Sequence, residues 1–337
     1  MYRKNSMERL IFFDLTFYLY LAGVIFYFLC FFCKKWYIRW GSTLIFSSGI
    51  LMHTFFIIQR WCIAGYPPFT NTFETLVLFS WLLAVGYLCL EFFCKHRVLG
   101  FAASLSAFIV LAYSSFFPSV IRPLMPALQS NFWILVHVNL CFIGYAAFAL
   151  AFLCGIYFLL QKRSAVALYI LCLIIASLFL AIVLFYCHKT GKITLTNNIT
   201  TIVQIFFGCC VLAGFLWFPS FFLFSWLHKK NIFTTEYPFA VYIYRFIGIG
   251  FTFLTAGIIT GAIWANEAWG TYWSWDPKET WSLITWFIYA IPLKLGGKQE
   301  KEKTQTYLAW YSILGFFCVL FTYFGVNYLL RGLHSYS

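Results

Sequence analysis

Apolar runs of about 18 residues or more, each closed by a short polar or basic break, recur along the whole chain. Read between those breaks, they predict ten helices, at about 11–33, 40–58, 71–93, 98–116, 132–160, 164–186, 200–226, 241–263, 281–295 and 304–330. Each run suffices to cross ~30 Å of hydrocarbon at ~1.5 Å per residue, and a closed helix is the way to satisfy a backbone there. The ninth is short and meets Pro292 near its end, so it needs less tilt or an extension by the aromatic residues before it. The breaks hold no room for a soluble domain, and no internal repeat is visible. Function has to be assembled from helix ends and a few loops.

Composition agrees. Of 337 residues 63% are hydrophobic and 10% charged, with a mean hydropathy of +0.84. The expected fold class is therefore all-α, a polytopic integral membrane protein. The first run extends past a signal core and lacks a small-residue cleavage site, so it is read as a span. A net charge of +13 would suit nucleic acid if it were gathered on one face, but the 23 Lys and Arg lie scattered between spans and act as topology signals. Thirteen of them, including Lys34, Lys35, Lys95, Arg97, Lys162, Arg163 and Lys294, fall on one side. Nine, including Arg60, Arg122, Lys278 and Arg331, fall on the other, and Arg245 sits at a span edge. The richer side is the cytoplasmic or equivalent one, which turns both termini outward. Twelve Cys lie mostly in apolar runs and show no disulfide framework. Cys30 and Cys33 form a C-x-x-C that reads as packing, with thiol transfer as its alternative.

One outward stretch departs from this pattern. "WANEAWGTYWSWDPKETWSLITW", residues 264–286, holds six of the fourteen Trp. Interfacial anchoring accounts for one or two indoles. It accounts poorly for Trp264, Trp269, Trp273, Trp275 and Trp281 interleaved with Asn266, Glu267, Asp276, Lys278 and Glu279. Flat apolar faces beside a few polar groups suit a large planar ligand. If that ligand is haem, its iron wants axial imidazoles. Of six His, His137 opens the fifth span and His334 follows the tenth, both on the side of the tryptophan loop. His53 lies within the second span, where an ionisable residue is a functional candidate by default. His96, His188 and His228 sit in polar or basic connectors. Glu74, entering the third span, could steady His53 or a helix terminus. The glycines Gly248, Gly250, Gly257 and Gly261 read as a small-residue face for a neighbouring helix.

These residues resemble the CcsA family of cytochrome c biogenesis proteins. The resemblance rests on "WGTYWSWDPKETW" (269–281), on "WANEAWG" before it, and on four further segments in the expected order: "HTFFIIQRWCIAGYPPFTNTFETLVLFSW" (53–81), "SNFWILVHVNLCFIGYAAF" (130–148), "YRFIGIGFTFLTAGIITGAIW" (244–264) and "GVNYLLRGLHSYS" (325–337). Together they cover roughly half the chain. The resemblance implies a single membrane domain over 1–337, with a cytochrome c assembly core at 130–337 and its tryptophan-rich loop at 264–281. It implies a protein that transports haem b across a bacterial inner or plastid thylakoid membrane and presents it to the Cys-x-x-Cys-His segment of apocytochrome c. There it works with a CcsB or ResB partner as part of a holocytochrome c synthase. Carried over, His137 and His334 are the outward iron ligands beside Trp269, Trp273, Trp275, Asp276 and Trp281, and His53 is the first of two membrane ligands. From charge sign and membrane side alone, Lys278, Arg122 or Arg331 is a candidate partner for the propionates. The chain departs from the family where a second membrane His is expected: "YAIPLK" places Lys294 there, and a protonated lysine has no lone pair for iron. A b-type electron carrier and a transporter of another small molecule stand as alternatives.

Overall fold

The computed structural model describes residues 2–33, 35–94, 97, 99–121, 130–162, 238–295 and 302–330, with isolated positions at 166, 168–170, 172 and 225. It divides into two compact units, one of residues 1–155 with 240–337 and the other of residues 156–239. The described part is helical throughout, without a strand.

The helices are α1 (Tyr2–Phe32), α2 (Trp36–Ala64), α3 (Thr72–Cys94), α4 (Gly100–Ser114), α5 (Asn131–Gln161), α6 (Phe239–Trp269), α7 (Pro277–Leu295) and α8 (Glu302–Leu320). Two of them contain a π-turn: Ile134–Val138 near the start of α5, and Phe321–Gly325, which carries α8 on into Val326–Leu329. Six described segments are long and apolar enough to cross a membrane, α4 adds a shorter apolar helix, and α7 is a 19-residue helix with charged residues at both ends. Helices stand at eight of the ten expected positions, six of them qualifying as spans, while the positions 164–186 and 200–226 lie outside the described residues except for isolated ones. The protein is a multi-pass membrane protein.

Boundaries moved where polar residues stood in helices. α6 runs on to Trp269 through Asn266 and Glu267, because nothing breaks it before Gly270, whose φ of +78° ends the helix with its N–H on the Asn266 carbonyl at 2.9 Å. The expectation that α6 stops at 263 came from polarity, which a helix rim tolerates. α7 begins at Pro277 rather than 281, for a reason given below.

Within the first unit, α1 packs on α2 and α4, and α3 on α4. Each end of this group holds a buried carboxylate. At one end Glu74 takes Arg60 (Nε to Oε1, 2.9 Å) and both the N–H and hydroxyl of Thr70 (2.9 and 2.8 Å). Its own N–H donates to Asn71 Oδ1 at 2.9 Å, so it fixes the start of α3 and not His53. At the other end Glu91 accepts from Tyr27, Thr43, Tyr87 (2.8 Å) and Arg97 (2.9 Å). Cys30 and Cys33 are free thiols, and Cys30 Sγ lies 3.6 Å from the Ser42 hydroxyl. The glycine face of α6 receives α5: a Cβ at Gly250 would strike Phe148 and one at Gly257 would strike Cys141. In the second unit the rings of Tyr157 and Phe239 lie 4.9 Å apart.

Candidate functional site

A cavity of about 210 Å³ opens in the first unit. Its walls come from five parts of the chain: the α2–α3 connection and start of α3 (Phe69–Thr72, Thr75), the first turns of α5, the end of α6, the tryptophan loop with the start of α7, and the end of α8 (Tyr323, Asn327). The sequence had assigned all five to one side of the membrane, and the structure gathers them at one cavity.

His137 sits in the π-turn of α5 and lines this cavity. Its Nδ1 lies 2.9 Å from the Gly257 carbonyl oxygen. A carbonyl only accepts, so the proton belongs on Nδ1, and Nε2 is the basic nitrogen. The ring fits because α6 presents glycine opposite it: a Cβ at Gly261 would lie 2.6 Å from His137 Cε1. Trp264 meets the imidazole edge-on, with centroids 5.7 Å apart. Trp133 donates its indole N–H to Glu267, tying the start of α5 to the end of α6.

The tryptophan loop divides its labour. Trp264, Trp269 and Trp273 line the cavity together with Tyr272. Trp275, 70% exposed, has a φ of +60° and sets its ring T-shaped against Trp273 at 5.9 Å. Trp281 lies against Phe321 of the second π-turn at 4.2 Å. Asp276 is buried and accepts from the Lys278 N–H at 3.0 Å, while Glu279 Oε2 reaches back to the N–H groups of Ser274 (2.8 Å) and Asp276 (3.3 Å). With Pro277 in the first helical position, this is a capping box, and it is why α7 starts at 277. Trp275, Asp276 and Trp281 therefore border the cavity without lining it.

Lys278 does line it, from the first turn of α7 and outside the six spans. It is half-buried, and its Nζ lies 3.4 Å from Asn327 Oδ1. Burial holds its ammonium below the usual lysine range, opposed by Cys141 and Asp276. Cys141, one turn below His137, also lines the wall, with Sγ 3.9 Å from Nδ1.

The other named residues lie elsewhere. His53 is fully buried in α2, away from the cavity lining, with Nδ1 3.1 Å from the Tyr20 hydroxyl and Nε2 bonded to no described side chain. Lys294 is exposed near the end of α7. His334, Arg122 and Arg331 lie outside the described residues.

A profile of the cytochrome c assembly protein family matches residues 69–334, which includes every residue lining the cavity. The cytochrome c biogenesis protein CcsA of Guillardia theta is 33% identical over 337 residues, covering 96% of this chain and 95% of its own. That of Pyropia yezoensis is 36% identical over 309 residues (88% and 86%), and that of Trieres chinensis 35% over 291 (84% and 82%). The chain belongs to the CcsA family. Its role is in cytochrome c biogenesis, which entails handling haem and apocytochrome.

For a CcsA chain, the sequence pointed to His137 and the indoles but missed other parts of the lining. Thr70, Asn71, Thr75, Tyr323 and Asn327 carry no signal of their own, although "PPFTNTFE" and "GVNYLL" were part of the resemblance. The capping box was legible as D-P-x-E.

Proposed function

We propose that this chain moves haem b outward through the membrane and presents it in the cavity beneath the tryptophan loop for attachment to apocytochrome c. The observation that carries the reading is the His137 imidazole, its tautomer set by the Gly257 carbonyl, standing in a cavity walled by three indoles. An imidazole whose far nitrogen is bonded to a carbonyl is a better-oriented and more basic iron ligand. Indole faces shield the porphyrin from water, as apolar walls do for any large flat ligand. His334 supplies the second axial nitrogen, and Trp269 and Trp273 cover the macrocycle. Trp275, Asp276 and Trp281 hold the loop in shape, and His53 receives haem within the membrane before it reaches this site.

The reacting thiols belong to the Cys-x-x-Cys-His segment of apocytochrome, and each adds across a haem vinyl group. This chain provides orientation and dryness, not a nucleophile. The substrate's histidine displaces one axial ligand, and that exchange releases the product. A CcsB or ResB chain completes the synthase, and the cavity faces the periplasm or thylakoid lumen.

Substituting His137 with Gly tests the reading. The variant, purified from haem-replete cells, is expected to show an altered haem spectrum and to regain cytochrome assembly in part when imidazole is added. An unchanged spectrum removes the proposed ligand.

A further inference from the structure

Among the described residues two ion pairs occur, Arg60 with Glu74 and Arg97 with Glu91, and Lys278 belongs to neither. Its ammonium nevertheless reaches a cavity wall. The two carboxylates closest in sequence accept from backbone N–H groups: Asp276 caps the Lys278 N–H, and Glu279 is bonded to Ser274 and Asp276. What Nζ finds is the neutral oxygen of Asn327 at 3.4 Å. Asp276 favours the charged form of Lys278, but the hydrogen bond that Nζ makes among the described residues is to a neutral oxygen, and an anion delivered to it forms a charge-assisted hydrogen bond in a medium of low dielectric. The cavity lining carries both kinds of group that haem needs. His137 and the indoles line it, and so do Lys278, Asn327, Thr70 and Asn71.

We propose that Lys278, seconded by Asn327, is the carboxylate-recognition residue of this cavity and binds the haem propionates. Haem is then held at two points, its iron on His137 and its acidic edge on Lys278. Two-point binding fixes the rotation of the macrocycle in its plane, so the vinyl edge, opposite the propionates, is turned away from Lys278 and toward the incoming thiols. Lys278 acts as a specificity and positioning residue. The assignment rests on the haem reading of the cavity.

The test measures binding of ferric protoporphyrin IX and of its uncharged dimethyl ester to the full chain in phosphatidylcholine nanodiscs, where no anionic headgroup competes. The wild-type protein is expected to bind the diacid at least roughly tenfold more tightly than the ester, the scale of one hydrogen bond to a charged group. Lys278→Gln is expected to abolish that preference while keeping the His137-dependent haem spectrum, and Lys278→Arg to retain most of it. Equal binding of diacid and ester by the wild type overturns the proposal without needing any variant, as does an undiminished preference in Lys278→Gln. Failure of the underlying reading looks different: neither porphyrin binds, or His137→Gly leaves the spectrum unchanged.

Discussion

Gly261→Ala separates the geometry of the site from the stability of the helix. A Cβ at position 261 would stand 2.6 Å from His137 Cε1 and 2.9 Å from Nδ1, where ordinary contact begins near 3.4 Å. The imidazole must therefore retreat by about 0.8 Å. Retreat on that scale strains or breaks its 2.9 Å bond to the Gly257 carbonyl, whose net worth is about 0.5–1.5 kcal/mol. In partial return, alanine in place of glycine within a helix stabilises by roughly 0.5–1 kcal/mol. The two nearly cancel, so thermal stability should shift little, while the imidazole no longer points where it did. Haem affinity should fall about tenfold to a hundredfold, the usual penalty for losing the group that orients a metal-bound histidine. Gly248→Ala is the matched control, since its nearest neighbour is Leu293 Cδ2 at 3.9 Å. The assay pairs thermal unfolding with haem titration for both variants, with and without added imidazole. A Gly261→Ala protein that binds haem with wild-type affinity and spectrum would refute the reasoning that the glycine exists to seat His137.

Three further outcomes are expected. Asp276→Ala should cost about 1 kcal/mol by loss of the cap, and Asp276→Asn much less, in thermal unfolding; equal losses would point to a role for the charge itself. Arg60→Ala, which strands the buried Glu74 carboxylate, should destabilise by roughly 3–5 kcal/mol, and a denaturation midpoint unchanged from wild type would contradict the pairing. Tyr20→Phe removes the hydroxyl beside His53 Nδ1 and leaves both ring nitrogens without a side-chain partner, a change of about 1–3 kcal/mol that the same melts would register.

The helices were legible because hydrocarbon demands long apolar runs, and that demand is written one residue at a time. The gathering of distant loops was legible only as a shared side of the membrane. Side alone placed His137 with the tryptophan loop, correctly, but it did the same for every indole of the motif. It could not tell Trp273, on the cavity wall, from Trp281, which lies against Phe321. Phe321, the partner of Trp281, sits in a π-turn, which local composition does not announce. Glu74 shows the same limit from another direction: acidity at membrane depth suggested two roles, and only the positions of Arg60 and Thr70 chose the helix terminus.

The segment between α6 and α7 is pinned at each end, by the left-handed Gly270 and by the box that Asp276 and Glu279 close, and Thr280 bonds back to the Trp275 carbonyl at 3.3 Å. So short a span, anchored twice, behaves as a shelf and not as a door. On the proposed function, clearance for a bulky flat passenger would have to be made elsewhere on the rim, and swapping the passenger's attachments would be a surer way to let it go than lifting the shelf.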